Sequence, residues 1–157
     1  MDSSKRESNI ELAQDLVVIG LPLATSPQRA MQDIPAHWQR FMSGDTRARL
    51  APRDGRIYAV YCDYEADFRR AYTMVLGFEV EAGSEVPAGL RRVRIPRGAY
   101  AAFAVEGDPA VVVNATWAHV NGPWQGQARR RYLADFERYA EGGAPSWVNV
   151  EVVIGLA

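Results

Sequence analysis

Three pairs of residues share one separation along the chain: Asp33 and Asp108, Tyr64 and Tyr139, and Tyr72 and Trp147 each lie 75 positions apart. Asp33 stands just before Pro35 and Asp108 just before Pro109. Each supplies a capping carboxylate ahead of a proline in what would be the first turn of a helix. The tyrosine pair closes two strand-like runs, and the Tyr72/Trp147 pair opens two more. The common spacing predicts a duplicated β-α-β-β unit. Two such units would join their strands into one sheet with the helices covering part of it. The expected fold is therefore α+β: tandem repeats about a pseudo-two-fold axis, a mainly antiparallel curved sheet, two helices, and a central cleft at the seam. Under this spacing Glu137 corresponds to Cys62, so the carboxylate belongs to one half only.

The runs between these markers fit the plan. Leu16–Leu23 is an apolar strand. Ile34, Trp38, Phe41 and Met42 recur at helical spacing after Asp33. "RIYAVYCDY" (56–64) and "AYTMVLGFEVE" (71–81) are rich in the aromatic and β-branched residues that strands favour. "LRRVRIP" is a strand in the connection between the halves, followed after the turn "PRG" by the strand "GAYAAFAVE". Pro109 opens a second helix over "AVVVNATWAHV", despite valines that are poorer helix formers. "RRRYLADFERY" and "SWVNVEVVIG" close the chain; in the latter, Val148, Val150, Val152 and Ile154 alternate with polar residues. Residues 1–10 are expected to be a flexible, polar N-terminus, and residues 11–157 a single domain.

Several function classes are disfavoured. A net charge of −1 gives no general attraction to nucleic acid or acidic membranes. No apolar run is long enough for a signal peptide core or a membrane span. A single cysteine, Cys62, fits a reducing compartment, and a cytoplasmic protein is expected. His37 and His119 lie far apart and suggest no metal set. There is no glycine-rich phosphate loop and no local nucleophile motif, so no cofactor and no metal are expected. A monomer or weak homodimer is anticipated.

The informative stretch is "DFERY". Alternation in a strand places Glu137 and Tyr139 on one face. One reading makes Glu137 a solvated carboxylate paired with Arg129, Arg130 or Arg131, contributing little. The other buries it among Tyr132, Phe136 and Tyr139. A buried, unpaired carboxylate then shifts its pKa upward or finds a cation. Aromatic faces would add cation–π attraction of about 0.5–2 kcal/mol each. Most of the remaining aromatics, Tyr58, Tyr61, Phe78, Tyr100, Phe103 and Trp124 among them, read as core. A cleft at the seam would be lined from both halves, which selects Tyr64, Tyr72, Trp38, Trp117 and Trp147 as companions of Glu137 and Tyr139.

At "IYAVYCDYEADFRRAYTMVLGFEVE", "VPAGLRRVRIPRGAYAAFAVEG" and "DFERYAEG…VNVEVVIGL" the chain resembles the GyrI-like effector-binding superfamily. These are the drug-binding domains of MerR- and AraC-type regulators and their stand-alone relatives. The resemblance runs from Leu16 to Leu156 and is strongest to the stand-alone branch that includes integron cassette-borne proteins. It implies a tandem β-α-β-β fold whose cleft holds the glutamate of the "FExY" element, here Glu137, with Tyr139 beside it. It also implies lipophilic, cationic, aromatic small molecules as ligands. Direct contact with nucleic acid is not expected, because the regulators' DNA-binding domain has no counterpart here. Two rival functions accompany the resemblance: a small-molecule hydrolase in which Glu137 activates water, and an inhibitor of a DNA-handling enzyme.

Overall fold

Ser26 followed by Pro27 starts the first helix, a proline at the first helical position where its missing N–H is harmless. The computed structural model describes residues 6–143 and 146–157. Its elements are β1 (Arg6–Leu12), β2 (Leu16–Thr25), α1 (Pro27–Ser43), β3 (Ile57–Cys62), β4 (Tyr72–Val80), β5 (Arg91–Ile95), β6 (Gly98–Gly107), α2 (Pro109–Val120), β7 (Ala134–Tyr139) and β8 (Val148–Gly155). Short 3-10 turns lie at Arg47–Arg49 and Gln125–Arg129. The strands form one eight-stranded antiparallel sheet ordered β1-β6-β8-β7-β3-β4-β2-β5. Among the described residues no helix is long and apolar enough to cross a membrane.

The strand order reads the same from both ends once each strand is exchanged for its partner in the other half. β3 and β7 meet at the centre, β4 and β8 flank them, and β2 and β6 lie beyond. The ladders fix the correspondence residue by residue. The row Leu23–Met74–Tyr61 matches Val105–Val150–Tyr139, and the row Leu21–Leu76–Ala59 matches Phe103–Val152–Glu137. The helices follow: buried His37 and Phe41 of α1 take the places of Thr116 and Val120 of α2, which sets Trp38 against Trp117.

Four sequence expectations change. Asp33 lies well inside α1 rather than at its start, and Pro35 is internal, because Ser26-Pro27 is an earlier start signal and the helix continues through the proline. Asp108 does cap α2, its side chain accepting from the Ala110 N–H at 3.0 Å. "LRRVRIP" is a strand as expected, but it opens the second repeat instead of lying between the halves: β5 is the counterpart of β1, and each of these leading strands pairs with the other half, β1 on β6 and β5 on β2. For the same reason residues 6–10 are not a frayed tail, since β1 has a ladder to hold it; residues 1–5 of the expected flexible segment lie outside the described residues. Finally, Glu137 corresponds to Ala59, not Cys62.

Both faces of the sheet are buried, by different means. Both helices sit on the face of Ala59 and Glu137: Phe41 of α1 joins Tyr61, Met74, Leu76 and Phe78 in one half, and Val120 of α2 joins Phe103, Val152 and Ile154 in the other. The opposite face is covered by the sheet itself. Val93 and Ile95 of one edge, Ile10 and Leu12 of the other, and Tyr58, Val60, Tyr100 and Phe136 between them share one cluster. β5 thus comes against β7 although three strands separate them in the sheet. The paired Gly20 and Gly77 permit this curl, since a Cβ at Gly20 would lie 2.1 Å from the Leu76 carbonyl oxygen.

Candidate functional site: a buried carboxylate in a paired aromatic cage

β7 is a central strand, so Glu137 has a neighbour on each side: Ala59 of β3 and Val152 of β8. Neither can bond a carboxylate, and Ala59 is too short to fill the space above it. That space is taken by aromatic side chains from both halves. Tyr61 donates to Glu137 Oε2 at 2.8 Å, the Trp117 indole N–H to the same oxygen at 2.7 Å, and Tyr139 to Oε1 at 2.6 Å. Glu137 is left 2% exposed.

The cage obeys the pseudo-symmetry. Tyr61 and Tyr139 are counterparts, as are Trp38 and Trp117. Trp38 meets Tyr139 edge-on at 5.3 Å between ring centroids, and Trp117 meets Tyr61 at 5.0 Å. At the centre of these four rings the pattern breaks: a glutamate on β7, an alanine at the matching place on β3. A symmetric aromatic box thus encloses a single carboxylate.

That carboxylate has no counter-ion among the described residues. Burial pushes its pKa above the ordinary glutamate value, and the three neutral donors oppose that rise without cancelling it. Arg138, the next residue, points to the other face, where it binds Glu151 at 2.9 Å. A second carboxylate on the same strand and face is handled differently. Asp135 is 0% exposed, yet Arg130 binds it at 2.9 Å, the Tyr64 hydroxyl at 2.7 Å and the Gly155 N–H at 2.8 Å. Of two buried carboxylates two residues apart, one is neutralised within the fold and the other is not.

Of the arginines named as partners of Glu137, Arg129 is exposed and the other two are engaged elsewhere. Arg130 serves Asp135, and Arg131 packs over the Tyr100 ring, bonding its hydroxyl at 2.8 Å. The structure brings Trp38, Trp117 and Tyr139 around Glu137, and places Tyr72 in the next ring contact, 5.7 Å from Tyr61. Tyr64 lies one ring further out, 6.1 Å from Tyr72, with its hydroxyl on Asp135. Trp147 is not part of the cage. Even-numbered residues of β8 share Glu137's face, so Trp147 faces away; it is 56% exposed and donates to Glu106 at 3.1 Å. The residue missed by sequence reasoning is Tyr61. A single offset of 75 pairs Tyr139 with Tyr64, whereas the ladders pair it with Tyr61.

The raised pKa makes stability depend on pH with a definite sign. A carboxyl whose folded value lies above its unfolded value of 4.5 contributes its full stability below that pH and loses it as pH rises through the folded value. Glu137→Gln removes this titration. Wild-type stability should therefore fall relative to Glu137→Gln as pH rises above 4.5, and level off once the folded value is passed. Urea titrations of both proteins across that range measure the gap; a gap independent of pH would mean that Glu137 titrates normally.

A family model described as "Integron-associated effector binding protein" matches residues 9–155. YobU of Bacillus subtilis (strain 168) is 29% identical over 144 residues, covering 87% of this chain and 89% of YobU. Among solved structures, the Vibrio cholerae integron cassette protein VCH_CASS2 aligns with a TM-score of 0.71 at 21% identity, covering 99% of this chain and 97% of that one. The structure of SAV2435 bound to tetraphenylphosphonium aligns with a TM-score of 0.73 at 17% identity, covering 97% and 94% of the two chains.

Proposed function

Because the chain belongs to the integron-associated effector-binding family, we propose that it binds lipophilic, cationic, aromatic small molecules over Glu137. One observation carries this reading: a carboxylate 2% exposed, held by three neutral donors and given no counter-ion among the described residues. An isolated buried charge is expensive, and the Arg130–Asp135 pair shows how this fold removes that expense where a carboxylate is structural. A bound cation supplies the charge that the site lacks.

The surrounding rings narrow the ligand class. Indole and phenol faces attract diffuse cations and stack on aromatic substituents, and a bulky organic cation loses less hydration than a metal ion. SAV2435, which shares the fold, was solved with a cation of this type. Trp38, Trp117 and Tyr72 are only half-buried, so they form the outer wall of the cage. A ligand reaches Glu137 by parting these rings.

Shape-matched ions test the proposal. Tetraphenylphosphonium and tetraphenylborate have nearly the same surface and opposite charge. At 100 times its dissociation constant the cation should stabilise the protein by about 2.7 kcal/mol. For a chain of this size that corresponds to roughly 5–11 °C in melting temperature. The borate should produce no comparable shift. Equal shifts with both ions, or none with either, would contradict a carboxylate-centred cation site.

A further inference from the structure

The two ends of the cage differ in a way the pseudo-symmetry does not require. At the β4 end, Tyr72 pairs with Thr25, whose hydroxyl donates to Asp33 Oδ2 at 2.9 Å. Paired strand residues share a face, so Asp33 of α1 stands beside Tyr72 on the cage side of the sheet. At the other end, the places of Tyr72, Thr25 and Asp33 are taken by Val148, Gly107 and Val112. The packing is conserved while the chemistry is not: a Cβ on Gly107 would meet Val112 Cγ1 at 2.9 Å, as the Thr25 hydroxyl meets Asp33. One end of the aromatic cage is thus acidic and hydrogen-bonding. The other is apolar, with Val112, Val148, Trp117 and Tyr139 all packed against Val105, Val113 and Val150.

We propose that Asp33 is a specificity-determining residue of the cation site, a second anionic contact that selects ligands with a second positive centre beyond the ring of Tyr72. The inference rests on the cation-binding reading of Glu137 and extends it. Burial raises the Tyr72 phenol to about 12, and Glu137 and Asp33 both add to the rise, so this ring lies within the field of both carboxylates. Asp33's own partner is weak. Arg29 approaches at 3.3 Å, but its side chain is 73% exposed against 18% for Asp33. An exposed i,i+4 pair of this kind is readily exchanged for another cation. From strand spacing, the Cα atoms of Tyr72 and Glu137 lie roughly 16 Å apart, the span of an elongated molecule and not of a compact one.

The test compares a bis-cation with a mono-cation of equal chain: decane-1,10-diyl-bis(triphenylphosphonium) and decyltriphenylphosphonium, titrated calorimetrically into the wild type, Asp33→Asn, Arg29→Gln and Glu137→Gln. The bis-cation should bind the wild type at least tenfold more tightly. Asp33→Asn should remove most of that preference while changing mono-cation affinity less than twofold. Arg29→Gln, at an exposed position that folding does not depend on, should increase the preference by removing the competing guanidinium. A wild type that binds both compounds equally overturns the inference and leaves the Glu137 reading intact. Equal losses for both compounds in Asp33→Asn, or an Arg29→Gln preference no higher than wild type, also overturn it. Unchanged affinities in Glu137→Gln would instead overturn the Glu137 reading, and with it the inference that rests on it.

Discussion

Replacing Glu137 by glutamine is expected to weaken tetraphenylphosphonium binding more than tenfold, about 1.4 kcal/mol, and to leave triphenylphosphine oxide nearly unchanged. Glutamine keeps the shape of the side chain and can still accept from Trp117 and Tyr61 at one oxygen, so ring stacking and apolar burial are preserved for both ligands. Only the charge term differs. That term is small in water and becomes decisive where water is scarce, as around a group 2% exposed. Losing one partner of a buried charge pair typically costs about 2–5 kcal/mol, so a tenfold threshold is conservative. Equal weakening of both ligands would reduce Glu137 to a shape determinant.

The same pair of titrations carries a proton signature. The Trp117 indole can only donate, which keeps Oε2 an acceptor. When Glu137 is protonated the hydrogen therefore belongs on Oε1, where the Tyr139 hydroxyl can reverse and accept it. A cation favours the ionised carboxylate and expels that proton. Affinity should rise with pH until the folded pKa is passed and level off above it, and calorimetry in buffers of different ionisation enthalpy should register proton release on the rising limb. Glu137→Gln should abolish both effects.

Much of this arrangement was legible in the sequence, and the failures share one cause. Alternation placed Glu137 and Tyr139 on a common face, helical spacing put Trp38 and Trp117 on equivalent helices, and the duplication set both pairs at one seam. A single offset was then applied to halves that differ in length. α1 has 17 residues and α2 has 12, an extra turn at the start of α1 that moves Asp33 from cap to interior. The correspondence drifts from 82 residues between β2 and β6 to 76 between β4 and β8. Odd drifts from 75, three positions between β3 and β7 and one between β4 and β8, are harmless for identifying elements but change which face a strand residue occupies. An offset of 75 selects Tyr64 where Tyr61 belongs and places Trp147 on a face it does not share. The pairing of β1 with the opposite half left no local trace, because a polar strand such as "RESNIEL" is specified by its partner and not by its own composition.

Asp135→Ala is expected to destabilise the protein by about 3–5 kcal/mol, the range for breaking a buried ion pair by removing one partner. The Arg130 side chain is 0% exposed and binds Asp135 at 2.9 Å and Asn121 at 2.7 Å. Without the carboxylate it becomes a buried cation held by an amide and by the faces of Tyr132 and Phe68, 4.4 and 6.0 Å from their ring centroids. The Gly155 N–H and the Tyr64 hydroxyl lose their acceptor as well. For this chain length the loss corresponds to roughly 6–20 °C in melting temperature. Glu137→Gln, two residues away on the same strand and at similar burial, should raise stability at neutral pH, because it removes an uncompensated charge and no ion pair. The opposite signs are the discriminating result. A strand that needed both carboxylates for folding would lose stability in both variants, whereas a fold that neutralises Asp135 and leaves Glu137 buried without a counter-ion among the described residues loses it in the first and gains it in the second. Thermal and urea unfolding of the two variants beside the wild type measure both signs, and a loss below about 1 kcal/mol for Asp135→Ala would show that the Arg130 pair does not hold the central strand.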